Sequence, residues 1–312
     1  MISCTEFIPA YSELFTYIDA KEGHKGVEKF WGYLFEPDGK GIPLINFAKK
    51  NGIRGCWEYW NGTLKEEASD VTMMLNEKGG WYYSHMHYCP SKGRLLELQK
   101  ETGLVPYYDY CGHCDYYRKA LEKVGLTWTR NHLYVDRAEC SRVLYDPKIF
   151  NGIMVKDENT EIVEMKSDGA EYFHRDFHSS LNMGIDYVAV RYGLDGLKEY
   201  LKLYTLHVYT PVFKEFSFGA LDAIEKKIRS TYELEKATEV LHIARGENSL
   251  GVKIDYCPAV KHLKETGRKV SDYFKYSTET VMETLAEKAH LRFVMKSYDN
   301  ETGAAEYEFK NN

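Results

Sequence analysis

No stretch of this chain approaches the ~20 consecutive apolar residues that span a bilayer, and its opening, MISCTEFIPAYSELF, lacks the basic stretch and apolar run of an export signal. A soluble, cytoplasmic chain with no membrane partner is expected. Positive charge is not in excess either: 41 Lys and Arg stand against 47 Asp and Glu, leaving a net charge of −6 with interspersed signs. A phosphate backbone demands a basic footprint, so nucleic acid is not an expected partner. A glycine-rich phosphate loop of the P-loop or dinucleotide type is missing, which argues against a nucleotide cofactor. The seven cysteines, an odd number without an export signal, read as reduced thiols with roles in metal binding, redox chemistry or packing.

What the sequence has in quantity is tyrosine, 26 among 312 residues, a side chain suited to half-buried core positions and to pocket walls. The length and the 44% hydrophobic content allow one large core or two ordinary ones. Self-comparison favours two. Tyr17 to Phe30, YIDAKEGHKGVEKF, matches Tyr187 to Tyr200, YVAVRYGLDGLKEY, with Gly23/Gly193 and Gly26/Gly196 in register. HYCPSKGRL from His87 matches DYCPAVKHL from Asp255, pairing Cys89-Pro90 with Cys257-Pro258, and ALEKVGL ending at Leu126 matches TLAEKAHL ending at Leu291.

The expectation is an α+β fold built as a tandem pseudo-symmetric repeat, each copy two or three helices on a small antiparallel sheet. The first copy is placed at 1–155, a charged linker at 156–168 and the second copy at 169–312. In the first copy helices are expected near 9–35, 43–68 and 114–124, a strand at 80–89 and a closing strand or hairpin at 131–145. A long helix running from a cap at Ser167 or Asp168 to a stop at Gly193 is expected to open the second copy. Its closing hairpin is expected to run from His290 to Met295 and return through Glu308. Within the linker, Ile162, Val163 and Met165 suggest a short edge strand.

Three constellations carry potential chemistry. On the strand before Cys89, alternation sends Tyr83, His85, His87 and Cys89 to one face, where two imidazoles and a thiolate can ligate zinc or iron; solvated strand histidines are the plainer reading. In YYDYCGHCD, Cys111 and Cys114 form a Cys-x-x-Cys pair, with Cys114 at a helix start that lowers a thiol's pKa. The surroundings differ from those of thioredoxin-like oxidoreductases, since Tyr110 rather than tryptophan precedes Cys111, and inert thiols remain open. Lastly, His174 and His178, with Asp176 between them, fall one helical turn apart on the expected long helix, bordering the stripe of Phe173, Phe177, Leu181, Ile185 and Val188. Such a pair can hold a metal or orient a base, or can be a satisfied interhelical pair.

The Tyr-Cys-Pro strand, the Cys-x-x-Cys-Asp helix start and the later Cys140 in RAECSRV together resemble the L-2-amino-thiazoline-4-carboxylic acid hydrolase-like family. The likeness spans Glu13 to Leu144 and, more loosely, His174 to Phe309. It implies hydrolysis of a C–N bond in a small cyclic amidine or amide-like substrate, with Cys89, Asp109, Cys111, Cys114 and Asp115 as positions to test, and Tyr108, Tyr110 and Cys257 as further substrate contacts. The units are also similar to small-molecule-binding domains of the vinyl-reductase type, which implies a binding or sensing protein instead. A thiol redox protein using Cys111 and Cys114 is the third reading. For the hydrolase, a pocket between the copies is expected, with His174, Asp176 and His178 activating water and the Cys111/Cys114 helix start holding an anionic group. The cofactor expected is a divalent metal (zinc, manganese or iron) on His174, His178, His85 or His87, or none. The expected partner is a small-molecule substrate, and a homodimer is left open.

Overall fold

The computed structural model describes residues 1–35 and 42–311. It is an α+β protein. Its helices are α1 (Phe7–Glu22), α2 (His24–Tyr33), α3 (Ile42–Glu66), α4 (Pro90–Thr102), α5 (Cys114–Glu122), α6 (Phe177–Val208), α7 (Thr210–Leu234), α8 (Pro258–Glu265) and α9 (Tyr276–Lys288). Its strands are β1 (Asp70–Asn76), β2 (Trp81–Tyr88), β3 (Thr127–Tyr134), β4 (Glu139–Tyr145), β5 (Glu161–Met165), β6 (Leu241–Arg245), β7 (Ser249–Ile254), β8 (Leu291–Tyr298) and β9 (Ala305–Asn311). Among the described residues no helix is long and apolar enough to cross a membrane.

Two compact units divide the chain, and the division is not a single cut. One comprises Ile18–Glu97 and Pro106–His174; the other comprises Met1–Tyr17, Leu98–Val105 and Arg175–Asn312. The opening 17 residues therefore belong with the C-terminal part of the chain rather than with the residues that follow them.

The unit containing residues 18–97 and 106–174 is built on an antiparallel sheet in the order β3-β4-β2-β1-β5. Val71, Met73 and Leu75 alternate along β1 with no exposure, and they pack with Tyr82, Met86, Trp128 and Leu144 against α3 residues Cys56, Trp57, Trp60 and Leu64. This buries one face of the sheet beneath helices and leaves Tyr83, His85 and His87 on the other. α3 bends at Gly52, whose φ of 56° admits glycine readily. The expected edge strand in 156–168 is β5, which pairs with β1 from Val71↔Met165 to Leu75↔Glu161.

The other unit has the sheet order β6-β7-β9-β8, with α9 packed against α6 and β8. Residues from the start of the chain complete its core. The Phe7 ring stacks on Phe177 with centroids 4.7 Å apart, the Tyr200 hydroxyl donates to the Ala10 carbonyl at 2.8 Å, and Lys227 meets Glu6 at 2.6 Å.

Several expectations on element bounds need correction. The helix expected from Asp168 starts at Phe177 instead, because Gly169 turns the chain at φ 69° and the Phe173 N–H is spent on the Glu66 carbonyl at 2.9 Å. It does not stop at Gly193 (φ 76°, ψ 178°); it kinks there and runs on to Val208. The helix expected at 9–35 is interrupted by Gly23, at φ 70° and ψ −179°. The closing segment expected at 131–145 is the hairpin of β3 and β4, and β1, α4 and β6 are additional elements.

Candidate functional site

Strand β4 contributes to two neighbouring clusters, because its residues alternate across the sheet. In register with β2, Cys140 stands beside Met86 and Arg142 beside Ser84, on the helix-covered face; Ser141 stands beside His85 on the open face. On β3 the register shifts between Arg130 and His132, so Arg130 pairs with Arg142 while His132 pairs with Ser141. A bulge at this place rotates the strand by one residue, and two side chains that simple alternation puts together end on opposite faces.

A cavity of about 40 Å³ is lined by Cys89, Cys111, Cys114 and Cys140 together with Lys92, Arg130 and Arg142, and Glu139 and Ser141 border it as well. Cys89 reaches it because β2 ends at Tyr88, after which the Cys89 N–H donates to the Ala138 carbonyl at 2.7 Å. The expectation that Cys89 shares a face with His85 and His87 is thus overturned. Cys111 lies in a single 3-10 turn, Tyr110–His113, and Cys114 is the first residue of α5. Among the described residues, no three of these sulfurs come within 4.8 Å of one another. A tetrahedral tetrathiolate zinc site needs sulfur separations of about 3.8 Å, from Zn–S bonds of ~2.3 Å. The thiols ring a small space rather than forming a closed metal cage.

The four thiols are not equivalent. Burial pushes Cys111 up to about 12, and it also raises Cys89 and Cys140. Burial acts in the same direction on Cys114, but the His113 imidazole, with Arg142 and Arg130 behind it, outweighs it and holds that thiol at about 6. The His113 ring has a defined orientation. Its Nδ1–H donates to the Tyr110 carbonyl at 2.5 Å, which accepts only, so Nε2 is the basic nitrogen and faces the Cys114 sulfur at 3.7 Å. A nucleophile, a base and a group orienting the base are therefore in line.

The cations of the cavity are only partly matched. Arg130 bonds Asp115 at 3.1 Å. Arg142 touches the Ser84 hydroxyl at 3.3 Å and lies over the Trp60 and Trp128 rings, with no carboxylate partner among the described residues. Lys92 is 5% exposed, and no acidic partner meets its ammonium among the described residues. A buried ammonium such as that of Lys92 is costly without counter-charge, and an anionic ligand relieves that cost.

Of the other residues expected at the site, Asp115 pairs with Arg130, and buried Tyr110 meets His113 through its carbonyl. Asp109 is turned away toward His24, 3.4 Å distant, and Tyr108 is 68% exposed and does not line the cavity. Cys257 belongs to the other unit, buried with its sulfur 3.1 Å from that of Met1.

His174 and His178 do not form the expected pair one turn apart on a helix, since His174 precedes α6 and the two fall in different units. The His174 Nδ1 meets Glu66 at 2.6 Å. His178, 1% exposed, meets the equally buried Glu235 at 3.0 Å, and the other Glu235 oxygen accepts the Cys4 backbone N–H at 2.5 Å. Asp176 occupies the N-cap position just before α6; its carboxylate accepts from the Ser179 hydroxyl at 3.0 Å and is 3.4 Å from His262. These contacts give the histidines structural partners within their own units.

On the open face the His85 and His87 rings lie 4.3 Å apart and tilted by 39°, on the shared face that their alternation expects, and His132 stands 5.1 Å from His85. Glu139 reaches both His85 and His132. His132, Glu139, Lys92, Arg130, Arg142 and His113 escape the sequence reading. Alternation along ECSRVLY would have separated Glu139 and Ser141 from Cys140 and Arg142, whereas the bulge in β3 leaves no such mark. No protein-family model, curated protein or solved structure matches this chain, so what the site can do rests on its own geometry.

Proposed function

We propose that the protein is a thiol-dependent hydrolase of small anionic substrates, opening a C–N bond of a cyclic amidine or amide-like compound in the cavity beneath β4. The observation that carries this reading is the Cys114–His113 pair: one thiol among four is held at about 6, beside a basic nitrogen fixed by the Tyr110 carbonyl. The Cys114 thiolate adds to the amidine carbon, and the protonated His113 gives its proton to the departing ring nitrogen as the C–N bond breaks. Water, losing a proton to His113, then attacks the thioimidate and releases the thiolate. Lys92 and Arg142, which lack acidic partners among the described residues, would hold a carboxylate on the substrate. The family resemblance points to the same substrate class, and the expected roles of His174, Asp176 and His178 in activating water are set aside.

The test is turnover of a panel of carboxylate-bearing cyclic amidines, followed by mass spectrometry under denaturing conditions to trap an adduct. The expected result is ring opening abolished in Cys114→Ser and an adduct on Cys114 alone. Undiminished turnover in Cys114→Ser would overturn the reading. A redox role is favoured by one observation, the asymmetry of Cys111 at about 12 and Cys114 at about 6. Loss of two free thiols under mild oxidant, absent in Cys111→Ser, would support it over hydrolysis.

We also infer that the two sheets descend from one duplicated unit. Read from the opposite edge, β8-β9-β7-β6 repeats β3-β4-β2-β1, and Gly23 and Gly193 break their helices at nearly the same φ and ψ. Ala68 and Lys236, each just after a helix, have φ values of 50° and 53°. On this reading only one copy keeps the thiol cavity.

A further inference from the structure

We propose that the open face of the sheet carries a divalent transition-metal site formed by His85, His132 and Glu139, with its remaining position open to water. None of its ligands is a cysteine, although Glu139 and Ser141 also border the thiol cavity.

The geometry comes first. His85 Nε2 lies 3.3 Å and His132 Nε2 3.4 Å from the same oxygen, Glu139 Oε1, and all three ligand atoms fall within 4.8 Å of one another. For bonds of ~2.0–2.1 Å to a tetrahedral ion, the distance between neighbouring ligand atoms is about 3.3–3.4 Å. Two edges of the triangle already have the length that a zinc-sized ion sets. As a hydrogen-bonded cluster the arrangement is poor. One carboxylate oxygen faces two imidazoles at the long end of the hydrogen-bond range, and His132 Nε2, although buried, has no hydrogen-bond partner among the described residues.

The surrounding groups fix the ligands. Ser141 Oγ lies 2.8 Å from His132 Nδ1, so the ring presents Nε2 to the site. Arg137 lies 3.5 Å from Glu139 Oε2, which leaves Oε1 as the single free oxygen. His87 has its Nε2 committed to the Thr72 hydroxyl at 2.8 Å and packs against the His85 ring in a tilted arrangement. The ligand side chains are 25–28% exposed, so an ion can enter and retain a water. Two imidazoles and one carboxylate suit zinc, or iron(II) in an open facial arrangement. Three strands contribute, and the β3 bulge is what brings His132 to this face.

The test uses the full chain freed of metal by chelator, titrated with Zn²⁺ by calorimetry and with Co²⁺ by visible absorption. One Zn²⁺ per chain is expected, with affinity reduced at least 100-fold in His132→Ala and His85→Ala. Ser141→Ala is expected to weaken binding tenfold or more. Cys114→Ser should bind as the parent does. Bound Co²⁺ should show tetrahedral or five-coordinate bands without sulfur-to-cobalt charge transfer. A charge-transfer band, or stoichiometry unchanged in both histidine variants, overturns the proposal, as does an absence of Zn²⁺ binding at micromolar concentration. Should a histidine variant fail to fold, the Co²⁺ spectrum of the parent chain decides between imidazole and thiolate ligands.

Discussion

Replacing His113 with alanine removes the chief group opposing the burial of Cys114, and the size of the effect depends on how it is observed. The parent thiol titrates at about 6 against an ordinary value of 9.0, so His113→Ala should return the midpoint to 9 or above. At pH 7 the thiolate fraction then falls from about nine-tenths to about one-hundredth. A less acidic thiol gives a stronger nucleophile, however; with a Brønsted slope of ~0.45, three pKa units restore about 20-fold in intrinsic reactivity. The net rate at pH 7 should drop only about fourfold, whereas at pH 6 it should drop about 20-fold. The informative experiment is therefore the full pH profile of reaction with a small methanethiosulfonate reagent. Modification of Cys114 is followed by mass spectrometry, and circular dichroism confirms the fold. A parent midpoint near 9, or a midpoint that stays near 6 in His113→Ala, would refute the assignment of His113 as the partner of the thiolate.

Three further outcomes are expected. Because the folded state releases the Cys114 proton near 6 and the unfolded chain near 9.0, the unfolded state binds more protons between those values. This contribution to stability grows as pH rises through that window and is lost as pH falls through 6; urea midpoints at pH 6, 7 and 8 should rise more in the parent than in Cys114→Ser. His178→Ala strands the buried carboxylate of Glu235 and should cost about 3–5 kcal/mol, whereas His174→Ala faces the 57% exposed side chain of Glu66 and should cost about 1 kcal/mol or less. Equal losses in urea melts would contradict that contrast. Trp57→Ala, removing a ring 4% exposed at the centre of the α3 core, should cost about 3–5 kcal/mol in the same measurement.

The parts legible in the sequence were those governed by local periodicity. Alternation placed His85 and His87 on the open face of β2, and the apolar spacing of Phe177, Leu181, Ile185 and Val188 marks the buried stripe of α6. What escaped was set by non-local partners. The chain before α6 is held out of the helix by the Glu66 carbonyl and side chain, more than 100 positions earlier in the sequence. The Cys-x-x-Cys was visible, but the imidazole that lowers the Cys114 pKa lies between the two cysteines and reads as a spacer until its ring is oriented. The bulge that parts Arg130 from His132 follows from pairing with β4 and has no sequence signal of its own.

The assignment of residues 1–17 to the C-terminal unit also bears on how the chain comes to fold. The Cys4 N–H bonds Glu235 across 231 positions, Lys227 reaches Glu6 across 221 and Tyr200 reaches Ala10 across 190. During synthesis, these first residues leave the ribosome well before their partners exist, while every strand of the β3-β4-β2-β1-β5 sheet is available once Met165 has emerged. Contacts of such separation close large loops before they are rewarded, which slows the step that makes them. The sheet carrying the thiol cavity can assemble early, and the C-terminal unit must wait with its apolar opening segment, Phe7 to Tyr17, unburied. That interval is where chaperone dependence and aggregation during expression should concentrate.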